Sequence, residues 1–133
     1  SQPNNLIILV SPRYAATDDL LTALLLAHEI THAQDYHRIY PDVSHNKDQC
    51  LQAESVAYYY EIMLLGVLSK EEQSRMELMA RTNVQASAEF DFLRSVLKSA
   101  DKYSDLLTGT HETIKKDPVY IAQCETMAKM NGL

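Results

Sequence analysis

The sequence predicts a mainly α-helical domain, and three observations support this fold class. The chain has 133 residues with only three glycines and four prolines, too few for a turn-rich sandwich. Helix-start signals precede the long remaining stretches. Only one short run, near the N-terminus, has the composition of a strand. We therefore expect helices throughout, with at most one or two short N-terminal strands.

A strand and two long helices are predicted for the first half of the chain. The apolar, β-branched run LIILV (residues 6–10) is bounded by polar residues and a proline, which is typical of a short strand. Thr17 is a good N-cap for a helix over residues 18–38, and the two aspartates that follow it suit the positive end of the helix dipole. After a loop, a second helix is predicted over residues 48–68.

Further helices are predicted for the second half. Ser69 and Glu72 form a capping box at the start of a helical stretch of about 30 residues, with a bend or break expected at Thr82-Asn83. Two shorter helices follow: residues 102–107, ended by a turn at Gly109, and residues 118–131, begun by Asp117-Pro118.

Composition and charge narrow the function classes. The hydrophobic fraction of 46% suits a single globular domain over residues 1–133. A net charge of -6 argues against a nucleic-acid-binding surface, which needs clustered Lys and Arg. No apolar run approaches the roughly 20 residues that span a membrane. Because the chain begins with Ser1, we expect a trimmed or processed piece of a longer protein, in which a signal peptide, a propeptide or a partner domain could lie upstream, and its compartment stays open.

Cys50 and Cys124 are the two cysteines of the chain. They do not form the repeated spacings of a disulfide framework. Two separate buried thiols are therefore the favoured interpretation, and one disulfide that joins distant helices is the alternative.

The stretch AHEITHAQDY carries the strongest chemical signal in the sequence. His28 and His32 are four residues apart, so both imidazoles lie on one face of a helix, and Glu29 flanks the pair. In the pattern H-E-x-x-H, two neutral imidazoles bind a metal and the carboxylate accepts a proton from water. Composition alone would produce this pattern in roughly one such chain in eighty, so a further ligand is needed to support it.

A candidate third ligand lies on the next predicted helix. A catalytic zinc takes three protein ligands and keeps one position open. Glu54 follows His32 after a loop that can reverse the chain, and it shares an otherwise apolar face with Cys50 and Ala57. Because a buried unpaired charge is costly, this carboxylate needs a partner, either the metal or, in the alternative interpretation, an Arg or Lys.

The motif HEITH at residues 28–32, followed after a loop by a helix with Glu54, resembles the gluzincin branch of the zinc metallopeptidases. The resemblance covers about residues 6–61 and implies a zincin-like helical domain with an active-site helix and a glutamate-bearing helix. It implies Zn2+ as cofactor, bound by His28, His32 and Glu54. It also implies hydrolysis of peptide bonds by zinc-activated water, with Glu29 as general base. A peptide or protein substrate would extend along the predicted strand.

The chain departs from the gluzincin pattern at one position. Many gluzincins have an Asp four residues after the ligand Glu, where it orients a histidine, and this chain has Tyr58 there. Asp35 and Glu61 are candidates for the orienting role. The reaction also needs a donor for the oxyanion, and Tyr58 is favoured because it shares a face with Glu54. The other candidates for this donor are His45, His111 and Tyr36.

Two alternatives belong to other function classes. A non-catalytic zincin-like domain, binding or regulatory, would carry the same residues. A carboxylate-bridged di-metal helical bundle would use Glu29 and His32 with Glu54 and Glu61. That bundle needs a second Glu-x-x-His, which the sequence lacks.

Overall fold

The computed structural model describes residues 19–39, 46–130 and 132, which form six α-helices and no strand. The helices are α1 (Asp19–Ile39), α2 (Lys47–Val67), α3 (Lys70–Ala80), α4 (Val84–Ala100), α5 (Leu106–Ile114) and α6 (Pro118–Met130). The predicted mainly α fold class is confirmed. None of the described helices combines the length and apolar character needed to cross a membrane. The predictions that lie outside the described residues concern the strand at residues 6–10, Thr17 and His45, and the side chains of Asp35 and Tyr36.

The second helix is the centre of the fold. It packs against α1, α5 and α6, while α4 packs against α3 and α5. Its buried side chains follow helical spacings of three and four residues, so they form faces that meet several neighbours. The core cluster takes side chains from all six helices, among them Leu21, Leu65, Met76, Phe90, Ile114 and Cys124.

Polar side chains set three helix boundaries where the sequence predicted them. Ser69 Oγ accepts from the Glu72 amide at 3.1 Å, and Glu72 Oε1 accepts from the Ser69 amide at 3.0 Å, so the predicted capping box is present. The long helical stretch breaks after Ala80, and Asn83 caps the start of α4. Asp117 Oδ1 accepts from the first amides of α6. These three predictions are confirmed.

The prediction for the segment after α4 is wrong. Residues 101–105 form a turn, and α5 begins after Asp105, whose Oδ1 accepts from the Thr108 amide at 2.8 Å. The helix then runs through Gly109, where a turn was expected. A Cβ at Gly109 would collide with the Ala100 backbone, so glycine allows α5 to approach α4 closely.

A disulfide between Cys50 and Cys124 joins α2 to α6, with a Cα–Cα distance of 5.5 Å. The favoured interpretation of two separate thiols is therefore wrong, and the alternative of one disulfide between distant helices is correct. Spacing alone could not distinguish the two, because the bond depends on α6 folding back across α2. Cys50 and Glu54 are one helical turn apart, so the disulfide holds α6 beside the glutamate.

Candidate metal centre

His28, His32 and Glu54 converge on one point between α1 and α2. The Nε2 atom of His28 is 3.1 Å from Nε2 of His32 and 3.2 Å from Oε2 of Glu54. The third distance, from His32 Nε2 to Glu54 Oε2, is 3.3 Å. Within the described part of the chain, no other group of three or more His, Cys, Asp or Glu side chains comes together in this way.

The local sequence explains why these side chains meet. Leu21 and Leu24 are buried in the core and lie on the same stripe of α1 as His28, so anchoring the leucines turns the histidines toward α2. Of the two glutamates Glu54 and Glu61, His28 contacts both and His32 contacts only Glu54, because α1 and α2 run in opposite directions.

The three atoms have the spacing and chemistry of a zinc ligand set. Zinc lies about 2.0–2.1 Å from nitrogen and oxygen ligands, so the ligands at neighbouring corners of a tetrahedron are roughly 3.3 Å apart. The observed triangle has edges of 3.1, 3.2 and 3.3 Å. Two imidazoles and one carboxylate are also a donor set found in catalytic zinc sites, which keep the fourth position open. These residues therefore fit a zinc ion.

Opposite charges hold the same cluster together when no metal is bound. Burial lowers the pKa of His28, but its contacts with Glu54 and Glu61 outweigh burial and raise that pKa to about 10. For Glu54, burial raises the pKa, and the two histidines outweigh it and lower the pKa to about 2. The Glu54 carboxylate is therefore ionised at neutral pH, as a metal ligand must be. A metal would have to displace a proton from His28.

Glu61 lies against the far side of His28. Its side chain is fully buried, and its Oε1 is 3.1 Å from His28 Nδ1, at ion-pair distance but outside hydrogen-bond alignment. A carboxylate at this nitrogen fixes the orientation of a metal-binding histidine. The geometry therefore suits the orienting role for which the sequence offered Glu61. Burial raises the pKa of Glu61, and burial together with Glu61 raises the pKa of the neighbouring Glu89 to about 8.

A cavity of about 320 Å³, hereafter the metal cavity, opens onto the three ligand atoms. Glu29 lines this cavity together with His28, His32 and Glu54, so the candidate general base and the three candidate ligands share one space. From α6, Gln123 donates from Nε2 to Glu54 Oε1 at 3.3 Å. This hydrogen bond leaves the other oxygen, Oε2, directed at the histidines.

Tyr58, the predicted oxyanion donor, also lines the metal cavity. Its ring meets the His28 ring edge to face with centroids 4.3 Å apart, and its hydroxyl is hydrogen-bonded to that of Tyr120. Tyr58 is 4% exposed, and Tyr120 is half-buried. Burial raises the pKa of both phenols, so both hydroxyls stay protonated at neutral pH and can donate. The oxyanion role of Tyr58 stays a prediction.

The structure also separates residues that the sequence grouped together. His111 lies on another side of α2, with its Nδ1 3.1 Å from Ser55 Oγ, and it does not line the metal cavity. Conversely, the sequence did not indicate Glu89, Tyr120 or Gln123, which α4 and α6 bring to the cavity wall. One signal in the sequence could have indicated Gln123. Gln123 precedes Cys124, so a predicted disulfide between Cys50 and Cys124 would have placed Gln123 near Glu54.

A comparison of the chain with protein-family models, curated proteins and solved structures finds no match in any of the three.

Proposed function

We propose that this chain is a zinc-dependent metallopeptidase that uses Glu29 as general base. The observation that carries the proposal is the triangle of His28, His32 and Glu54 atoms, with edges of 3.1–3.3 Å, on a cavity wall that also presents Glu29. The contact of Glu61 with the far nitrogen of His28 adds support, because metal-binding histidines commonly have such a carboxylate partner. The choice of peptide bonds as substrate comes from the resemblance of the motif to gluzincins.

Each residue of the metal cavity has a separate role in the proposed reaction. When bound, zinc lowers the pKa of a coordinated water toward about 7 and polarises a carbonyl group. Glu29 accepts the proton of the attacking water on its carboxylate and passes it to the leaving amine. Gln123 and Glu61 hold Glu54 and His28 in place. In the hydroxyl pair of Tyr58 and Tyr120 one proton is donated between the two oxygens, and the other is available for the negative oxygen of the tetrahedral intermediate.

We expect wild-type protein, purified without a histidine tag, to bind about one zinc ion per chain, and Glu54→Ala to bind it more than about 100-fold more weakly. The variant removes one of three ligands and leaves an incomplete donor set. Glu71→Ala removes a carboxylate from an exposed position in α3 and is the matched control. The measurements are elemental mass spectrometry after washing and a competition titration with a zinc chelator.

Three outcomes of this experiment discriminate between the hypotheses. Loss of zinc in Glu54→Ala but not in Glu71→Ala supports the proposed metal centre. Two metal ions per chain would instead favour the di-metal bundle. Wild-type protein that stays metal-free after zinc is supplied would refute the proposal.

Zinc affinity should also depend on pH in a defined direction. Because the metal-free protein raises the pKa of His28 to about 10, His28 carries a proton at neutral pH that zinc must displace. Proton and metal compete, so the apparent affinity should rise about tenfold per pH unit across the neutral range, which lies well below the His28 pKa of about 10. Calorimetric titrations in buffers of different ionisation enthalpy would count the released protons. An affinity that falls or stays constant as the pH rises would contradict the described state of His28.

A further inference from the structure

A second cavity, of about 570 Å³, adjoins the metal cavity and is hereafter called the side-chain cavity. It lies between α2, α4 and the start of α6. The two cavities share Tyr58, Glu89 and Tyr120 in their walls, so a substrate bound over the metal ligands would have the side-chain cavity beside it. On α4 the lining residues Gln85, Ala88, Glu89 and Phe92 follow helical spacing and form one continuous face.

Aromatic rings form one wall of the side-chain cavity. The ring centroids of Tyr58 and Phe92 are 5.0 Å apart, those of Phe92 and Tyr120 are 5.7 Å apart, and those of Tyr58 and Tyr120 are 5.5 Å apart. Such a cluster can pack against an aliphatic stem. The faces of aromatic rings also attract a cation, more strongly when the site is partly desolvated.

Two carboxyl groups line the side-chain cavity, those of Glu89 and Asp117, and no Lys or Arg lines either cavity among the residues that the structure describes. Because the pKa of Glu89 is raised to about 8, Glu89 is largely protonated at neutral pH and offers a carbonyl oxygen as acceptor, so the negative charge of the cavity is that of Asp117. Asp117 also caps α6, and its full negative charge exceeds the roughly half positive charge of a helix N-terminus. The cavity therefore combines apolar walls, aromatic faces and negative charge.

We infer that the side-chain cavity, with the rings of Tyr58, Phe92 and Tyr120 and the carboxyl groups of Glu89 and Asp117, binds an arginine or lysine side chain of the substrate next to the scissile bond. The inference rests on the proposed peptidase function for its position in the reaction. The walls of the cavity indicate which side chain it binds. A long aliphatic stem packs against the aromatic rings, and a cation at its end interacts with the rings and the carboxyl groups.

The first test compares hydrolysis of two quenched peptides that differ at one position next to the scissile bond. One peptide has arginine there, and the other has norleucine, an apolar residue with an unbranched stem. We expect wild-type kcat/KM to be at least about tenfold higher for the arginine peptide. Equal rates, or a preference for norleucine, would overturn the inference and leave the peptidase proposal intact.

A pair of cap variants isolates the charge of the cavity. Asp117→Asn keeps an oxygen that can cap α6 but removes the negative charge, and we expect the preference for arginine to fall about fivefold. Asp105→Asn makes the same change at the N-cap of α5, outside both cavities, and should leave the preference unchanged. A preference that survives Asp117→Asn, or one that both variants lower equally, would contradict the assignment.

A binding measurement separates this inference from the peptidase proposal. Metal-free protein is titrated with N-acetyl-argininamide and with N-acetyl-norleucinamide, and backbone amide shifts at Ala88 and Val119 are followed by NMR. We expect saturable shifts with the arginine probe, weakened by Asp117→Asn, and affinity for norleucine at least about tenfold lower. Selective binding without any hydrolysis would support the side-chain cavity and refute the peptidase function. Hydrolysis without selective binding of the arginine probe would support the peptidase function and refute the assignment of the side-chain cavity.

Discussion

Glu29→Gln is expected to lower kcat/KM for peptide hydrolysis by about 10²–10⁴-fold, while the variant still binds about one zinc ion per chain. The amide of glutamine matches the carboxylate in size but cannot accept the proton of the attacking water. Because Glu29 is not one of the three residues whose atoms converge, metal affinity should change little. Hydrolysis of a mixture of quenched peptides, measured together with metal content, checks both halves of this expectation.

Glu125→Gln is the control for Glu29→Gln, because it makes the same chemical change at an exposed position on α6. Its activity should match that of wild type. Equal activity in wild type and Glu29→Gln would rule out Glu29 as general base. Wild-type protein that carries zinc but hydrolyses none of the peptides would favour the alternative of a non-catalytic zincin-like domain, in which the metal braces α1 against α2.

Replacing both cysteines, as Cys50→Ser with Cys124→Ser, should lower the free energy of unfolding by about 4 kcal/mol. The disulfide spans a sequence separation of 74, so its loss restores much conformational freedom to the unfolded chain. Both positions are also buried, at 2% and 0% exposure, so each serine places a hydroxyl in an apolar setting. Urea unfolding of oxidised wild type, reduced wild type and the double variant would measure the difference.

The double variant is also the control for the effect of a reductant on wild type, because it has no disulfide to reduce. A thiol reductant should shift the unfolding midpoint of wild type to lower urea and leave that of the double variant unchanged. If the reductant shifts neither midpoint, the bond between α2 and α6 does not contribute the expected stability.

The candidate ligands could be predicted from the sequence because their signals are local. The four-residue spacing of His28 and His32 fixes a shared helix face, whichever fold surrounds it. Glu54 could be chosen because a carboxylate on an apolar face needs a partner. The helix boundaries at Ser69, Asn83 and Asp117 were predictable for the same reason, since capping depends on neighbours within one turn.

The other half of the site could not be predicted from local pattern. Glu89, Tyr120 and Gln123 reach the cavities because α4 and α6 pack around α2, and nothing near these residues in the sequence indicates that contact. Gly109 shows the same limit, because its role is a close approach to Ala100 on another helix. The contact between Glu61 and His28 is an intermediate case. The sequence offered Glu61 as one of two candidates for the orienting role, and only the packing of α1 on α2 shows that Glu61 contacts His28.

The disulfide divides the candidate site into two topological parts. The bond between Cys50 and Cys124 closes a covalent ring that contains Glu54, Glu61 and the residues from α4 and α6. Helix α1, with His28, Glu29 and His32, lies outside this ring and is held against it by packing and by the His–Glu contacts. A metal ion bound by residues from both parts would be a second cross-link. It would join α1 to α2, two helices that the disulfide does not connect. The apo and metal-bound proteins would then differ chiefly in how firmly one helix is attached to an already closed ring.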